Sequence, residues 1–314
     1  MRRRAILDVG TNSVKVLVAD TDEHGVVPVW ESSEQTRLGR GFYETQILQP
    51  EAIEATAQAA SRFAEIARSM GAETVRAIAT SAARDAINRL DLLAALQKAT
   101  GVETEVISGE TEADWAFAGV ASTPGWASDR ILVLDVGGGS TEFILGANGH
   151  SEFRTSLALG SVRWLEKLQP GDNPTADALN GCRLALREFL RRELKQSLGT
   201  LLTDHGLPHR TVGVGGSTAL LALIHLGSHD FDRAQIEATV FRPDQLSLLV
   251  EKLWSLPLTQ RRLLPGLPSE RADVILIGAA IYEAIVDVFS LPSLGVSLRG
   301  LRFAGLMDGT GGPD

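Results

Sequence analysis

The chain repeats itself once. Ile6-Leu7-Asp8-Val9-Gly10-Thr11-Asn12-Ser13 lines up with Val133-Leu134-Asp135-Val136-Gly137-Gly138-Gly139-Ser140, and both continue into apolar runs, Val14 to Val18 and Thr141 to Leu145. Each copy reads as a strand, a tight glycine turn opened by aspartate, and a return strand. One copy near the start of each half of a 314-residue chain implies two domains of related plan rather than one oversized core. Thr123-Pro124-Gly125 is the expected boundary.

The remaining sequence alternates. Ile53, Ala57, Ala60, Ala64 and Ala67 keep helical spacing between Pro50 and Met70, with Gly71 as the stop. Residues 75–79 and 103–107 read as strands, and 91–100 and 110–120 as helices. In the second half, 154–158 and 211–214 read as strands, and 175–202, 243–254 and 270–289 as helices. Such alternation predicts an α/β layered fold.

Composition narrows the function. A net charge of −9 argues against a general nucleic-acid binder, which would carry a basic face. It leaves room for a polyanionic ligand held by local cations, backbone N–H groups and a divalent metal. The most apolar run, Val274 to Tyr282, is far shorter than the roughly 20 residues that span a bilayer. Met1-Arg2-Arg3-Arg4 leads straight into a strand, so no signal-peptide core is read there, and Gly309 to Asp314 reads as a polar tail. The single cysteine, Cys182, excludes an internal disulfide, suits a reducing compartment, and sits among leucines as a core residue. The histidines form no zinc or Ser-His-Asp arrangement.

The glycine turns carry the chemistry. In Gly137-Gly138-Gly139-Ser140-Thr141, three residues without side chains can aim successive N–H groups at one anion, with two hydroxyls beside them. Gly10-Thr11-Asn12-Ser13 is its counterpart, and Gly215-Gly216-Ser217-Thr218 is a third turn that opens a helix. Asp8 and Asp135 sit on otherwise apolar strands. Each either caps its own turn or helps hold magnesium, because an uncompensated buried carboxylate costs several kcal/mol. Glu112, in Ser108-Gly109-Glu110-Thr111-Glu112, is either the N3 residue of a helix capped by Gly109 or a base for water. Arg84, Arg163 and Arg302 each follow a turn, where side chains reach a cleft.

These segments, in this order, resemble the exopolyphosphatase and guanosine pentaphosphate phosphatase (Ppx/GppA) family of the actin-like superfamily. The motifs are 8–13, 80–84, 108–113, 135–142, 159–163, 215–218 and 300–302, so the likeness spans nearly the whole chain. The resemblance implies two related actin-like (ribonuclease H-like) α/β domains with an interdomain cleft. Domain I would run from residue 1 to 124 and domain II from 125 to 289, with 290–314 packing back on the first. It implies that Glu112 is the catalytic base and that Arg84 meets the phosphate chain. Both hairpins, with Arg163, Gly215, Gly216 and Ser217, would grip phosphate. Asp135, with Asp8, would hold Mg2+ or another divalent cation, and K+ stays open.

The expected activity is release of orthophosphate from the end of inorganic polyphosphate in the cytoplasm, with a 5′-phosphatase acting on guanosine pentaphosphate (pppGpp) as the alternative. A non-hydrolytic, actin-like nucleotide sensor is a further reading, and a sugar kinase a poorer one. No nucleic-acid or membrane partner is expected, and a homodimer stays open. Many relatives carry extra C-terminal helical domains, whereas this sequence resembles the short form, which tilts the substrate towards short chains. Lys15 stands where relatives often have arginine.

Overall fold

The computed structural model describes residues 1–307 apart from His24 and Ala127, and the chain divides into two units. One comprises Met1–Pro124 with the segment from Arg299 onward; the other is Gly125–Leu298. The tail read from Gly309 to Asp314 lies outside the described residues.

In the first unit, β1 (Arg2–Val9), β2 (Ser13–Asp22), β3 (Gly25–Gln35), β4 (Thr74–Ala79) and β5 (Thr104–Val106) form one sheet in the order β3-β2-β1-β4-β5. The β1–β2–β3 meander is antiparallel, while β1, β4 and β5 run parallel. Both faces of β1 are covered, which explains its unbroken apolar run. Ala5, Leu7 and Val9 pack with Ala60, Phe63 and Ala64 of helix Pro50–Ser69 and with Leu92 and Leu96 of helix Arg89–Thr100. Ile6, on the other face, packs with Trp115 of helix Gly109–Ala121 and with Phe303 and Leu306 of helix Leu301–Met307.

In the second unit, β6 (Ile131–Val136), β7 (Thr141–Ala147), β8 (His150–Leu157), β9 (Arg210–Val214), β10 (Val240–Phe241) and β11 (Leu294–Val296) form a sheet in the order β10-β11-β9-β6-β7-β8. Read from its hairpin edge, β8-β7-β6-β9-β11 repeats the order of the first sheet. Even the irregularities coincide. The register slips between Val18 and Ala19 in one hairpin and between Leu145 and Gly146 at the equivalent place in the other. The short sequence repeat is therefore the visible part of a duplicated sheet, and the expected pair of related α/β domains is what the chain forms.

Two expectations change. The chain does not leave the second unit at residue 290 but after Leu298, because Leu294–Val296 pairs with both β9 and β10. The helix read over 270–289 is a 3₁₀ turn at Ser269–Arg271 followed by helix Ile275–Val288. Among the described residues, no helix is long and apolar enough to cross a membrane.

Candidate active site

The site residues follow the carboxyl ends of parallel strands, where chains leave a sheet and leave backbone groups for a ligand. In the first unit, β1 runs into Gly10–Ser13, β4 into helix Ser81–Asp85, and β5 into helix Gly109–Ala121. The last two bring Arg84 and Glu112 together, with Arg84 Nη1 donating to Glu112 Oε2 at 3.1 Å and to the Ile107 carbonyl at 3.1 Å. Glu112 is only 6% exposed.

The helix-capping explanation for Glu112 fails. Ser108 is the N-cap, its Oγ accepting from Thr111 N at 3.0 Å, so Glu112 lies one residue beyond the capping-box position. Glu110, which is exposed, and Glu112 both lie in the first turn, where negative charge complements the helix dipole. The Glu112 carboxylate is thus buried and held in one orientation by Arg84.

Both hairpin turns share one hydrogen-bond scheme. Gly10 N donates to Ser13 O and Gly137 N to Ser140 O, each at 3.0 Å. The next two carbonyls are then pinned. Thr11 O accepts from Gly39 N at 2.7 Å, and Asn12 O accepts from Thr36 N and Arg37 N at 3.1 and 3.0 Å. In the second unit, Gly138 O accepts from Val162 N and Arg163 N at 2.9 and 3.1 Å, and Gly139 O from Arg163 Nε at 2.8 Å. Gly137 O takes Ser161 N at 2.9 Å.

In a trans peptide the N–H points opposite to the C=O. Pinning these carbonyls therefore turns the N–H groups of Asn12, Gly138 and Gly139 the other way, and among the described residues none of the three meets an acceptor. Asn12 Nδ2 is likewise buried without an acceptor among the described residues, while its Oδ1 is taken by Gln35 Nε2 at 3.2 Å. Oriented, unused donors on a glycine turn form an anion-binding nest.

The same bonds reassign several expected ligands. Arg163 braces the loop that it was expected to assist. The Thr141 hydroxyl donates to Leu159 O, and the Ser217 hydroxyl to Val136 O at 3.1 Å, so both are used inside the fold. Arg302 donates to Val16 O at 2.8 Å and reaches Glu31, which makes it a tie across the first sheet. Gly215 takes φ +82°, and a Cβ there would lie 2.5 Å from Asp135 Oδ1. The glycine is thus required both by its backbone and by the aspartate. At Gly216 a Cβ would meet Arg271 Nη1 at 3.1 Å, which places that guanidinium over the third turn. Sequence reading missed Arg271 because it placed the residue inside a continuous helix.

The two aspartates, equivalent by repeat, differ in their partners. Asp8 lies opposite Lys15 on the β1–β2 rung, with Nζ 3.7 Å from Oδ2. Its charge is already offset, and the pairing expected between Asp8 and a metal is not supported. Asp135 lies opposite Glu142 on the β6–β7 rung, and the two are 8% and 1% exposed. Ser156 Oγ donates to Glu142 Oε1 at 2.7 Å. Two carboxylates on one buried rung repel, and a divalent cation relieves that repulsion. Glu142 was overlooked because it follows the turn rather than opening it; its register opposite Asp135 was the available signal.

A sequence profile of the Ppx/GppA phosphatase family matches residues 17–309. The chain is 31% identical over 301 residues to Exopolyphosphatase 1 of Mycobacterium tuberculosis, covering 96% of this chain and 86% of that protein. It is 32% identical over 298 residues to the guanosine-5′-triphosphate,3′-diphosphate pyrophosphatase of Vibrio atlanticus, covering 95% of this chain and 57% of that one. A crystal structure of the Aquifex aeolicus Ppx/GppA family member superposes with a TM-score of 0.77 at 28% identity, covering 97% of this chain and 96% of that one. With a duplicated sheet, two glycine turns built on one hydrogen-bond scheme and likeness across almost its whole length, this chain belongs to the Ppx/GppA phosphatase family.

Proposed function

We propose that the protein is a cytoplasmic exopolyphosphatase, which releases orthophosphate from the end of inorganic polyphosphate. The observation that carries this reading is the pair of turns whose carbonyls are tied back and whose N–H groups are left as donors. Such donors suit a ligand made of successive phosphates and do not select a base or a sugar.

Glu112 accepts a proton from water, and the water oxygen forms a bond to the terminal phosphorus. The bond from that phosphorus to the bridging oxygen breaks, and the shortened chain leaves with the electron pair. Arg84 holds the Glu112 carboxylate at 3.1 Å and keeps further guanidinium donors for phosphate oxygens. Each unit carries its own phosphate donors, the N–H of Asn12 in the first and those of Gly138 and Gly139 in the second, where Arg271 lies over the third turn.

Asp135 and Glu142 fit a divalent cation, Mg2+ in this reading. One or two carboxylates with phosphate oxygens and water make up its usual shell. Such an ion, when bound, would neutralise phosphate charge and act as a Lewis acid. We propose no nucleic-acid partner.

The likeness to a guanosine-5′-triphosphate,3′-diphosphate pyrophosphatase supports a second reading, cleavage of the 5′-terminal phosphate of pppGpp with the same groups. Phosphate release from polyphosphates of defined length and from pppGpp, with and without Mg2+, decides between them. Faster turnover of polyphosphate is expected. Faster turnover of pppGpp would favour the second reading. Release from neither, with ATP bound tightly, would leave a nucleotide sensor.

A further inference from the structure

The two sheets part company at one point. β1 and β4 stay paired through Val9 and Ala79, and Thr80 N still donates to Val9 O at 3.2 Å. In the second sheet the equivalent strands β6 and β9 pair only as far as Asp135 and Val214. There Gly215 turns the chain away, and side chains take over from the ladder.

Tyr282, on helix Ile275–Val288 and fully buried, puts one oxygen at that fork. Its hydroxyl lies 3.3 Å from Leu134 O and accepts from Val136 N at 3.4 Å, so it touches both peptide groups that flank Asp135. It also lies 3.1 Å from Val214 O, the carbonyl just before Gly215, and 2.5 Å from Thr218 Oγ1. Thr218 Oγ1 in turn donates to Val214 O at 2.8 Å. Leu134 O, Val136 N and Val214 O at the fork thus meet these two hydroxyls, and Ser217 donates to Val136 O.

We propose that Tyr282 is the positioning residue for Asp135 and for the Gly215-Gly216 turn, setting the affinity of the Asp135–Glu142 pair for a divalent cation. This rests on the metal reading given above. Burial, reinforced by the negative charge of Asp135, holds the phenol protonated well above its ordinary range, so it remains a neutral hydroxyl throughout the working range. A hydroxyl that fixes a ligand's backbone acts as an outer-shell group does, and loss of such a group typically weakens metal binding by about 10–100-fold.

The test is Mg2+ titration of the full chain by calorimetry, with the metal alone, for the wild type, Tyr282→Phe, Thr218→Val and Asp135→Asn. Tyr282→Phe keeps the ring and its packing. It is expected to bind Mg2+ about 10–100-fold more weakly, with the Mg2+ needed for half-maximal phosphate release rising in step. Thr218→Val should move both quantities in the same direction and serves if Tyr282→Phe does not fold. A purely structural tyrosine would lower the melting temperature and leave Mg2+ affinity unchanged, which would overturn the proposal. If Asp135→Asn loses Mg2+ binding while Tyr282→Phe keeps it, positioning alone is refuted. If Asp135→Asn also keeps it, the metal reading itself is wrong.

Discussion

Gly160→Ala isolates the glycine loop from every catalytic side chain. Gly160 has φ −121° and ψ 156°, an extended conformation open to any residue, so alanine brings no backbone strain. The obstacle is space. A Cβ would lie 2.3 Å from Gly138 O and 2.4 Å from the carbonyl carbons of Gly138 and Gly139. Carbon atoms in contact sit about 3.5–4.0 Å apart, so the loop or the start of helix Ser161–Leu168 must retreat by about 1 Å. All of these atoms are backbone, and the Gly138 carbonyl that would move is the one that aims the Gly139 N–H group. A displacement of about 1 Å at a reacting centre costs on the order of 10²-fold. Overpacking costs about 1–3 kcal/mol of stability, which lowers Tm by several degrees.

Initial rates of orthophosphate release against polyphosphate concentration, with melting curves on the same samples, measure both effects. The expected outcome is a drop of about 10²-fold in kcat/KM at a temperature where the variant is fully folded. Gly181→Ala is the control. It lies in helix Ala176–Leu194, and a Cβ there meets nothing within 4 Å, so stability should rise by about 0.5–1 kcal/mol with activity unchanged. Wild-type kcat/KM in Gly160→Ala would refute the reasoning, because a loop that can be moved without loss of rate does not hold the substrate.

Three other outcomes are expected. Glu112→Gln preserves shape and a partner for Arg84, and should lower kcat by about 10²- to 10⁴-fold with a near-normal melting curve; a kcat within a few-fold of wild type would remove Glu112 as the base. Glu142→Gln should weaken Mg2+ binding at least about tenfold, whereas Asp8→Asn, which removes a carboxylate already facing Lys15, should leave calorimetric Mg2+ affinity unchanged; the opposite pattern would assign the ion to the first unit. Burial, with the charge of Glu283 beside it, pushes the Cys182 thiol from 9.0 up to about 12. The folded state therefore keeps a proton that the unfolded chain releases, so this stabilisation is complete below pH 9 and is lost as pH rises towards 12. At its fullest the contribution is on the order of 4 kcal/mol, and Cys182→Ala should flatten the alkaline limb of urea-denaturation midpoints; an unchanged limb would exclude the thiol as its source.

The roles expected of Glu112 and Arg84 came from the family resemblance, whereas the sequence by itself determined the two-fold repeat, the α/β class and the aspartates on apolar strands. Those signals are local: strand periodicity, glycine where the chain turns, a carboxylate on an apolar strand. Helices Pro50–Ser69 and Pro243–Ser255 were legible to within a few residues, because spacing along a helix is a local property, whereas the short helix Ser161–Leu168 was not read. Nor was the edge strand β3, since Gly25–Gln35 contains Pro28, turns polar after Trp30, is partly exposed and shows no clean alternation.

What each side chain does was decided by tertiary structure. Asp8 and Asp135 look alike in sequence, and only the opposing rung, with Lys15 in one sheet and Glu142 in the other, makes one a neutralised pair and the other a candidate cation site. Thr141 and Ser217 read as phosphate ligands until the fold shows their hydroxyls bonded to Leu159 and Val136 carbonyls. Tyr282 is separated from Asp135 by most of the second unit's sequence, and no periodicity could link them. A hydrogen bond depends on where two groups meet in space, and sequence spacing fixes that only within a turn of helix or across one hairpin.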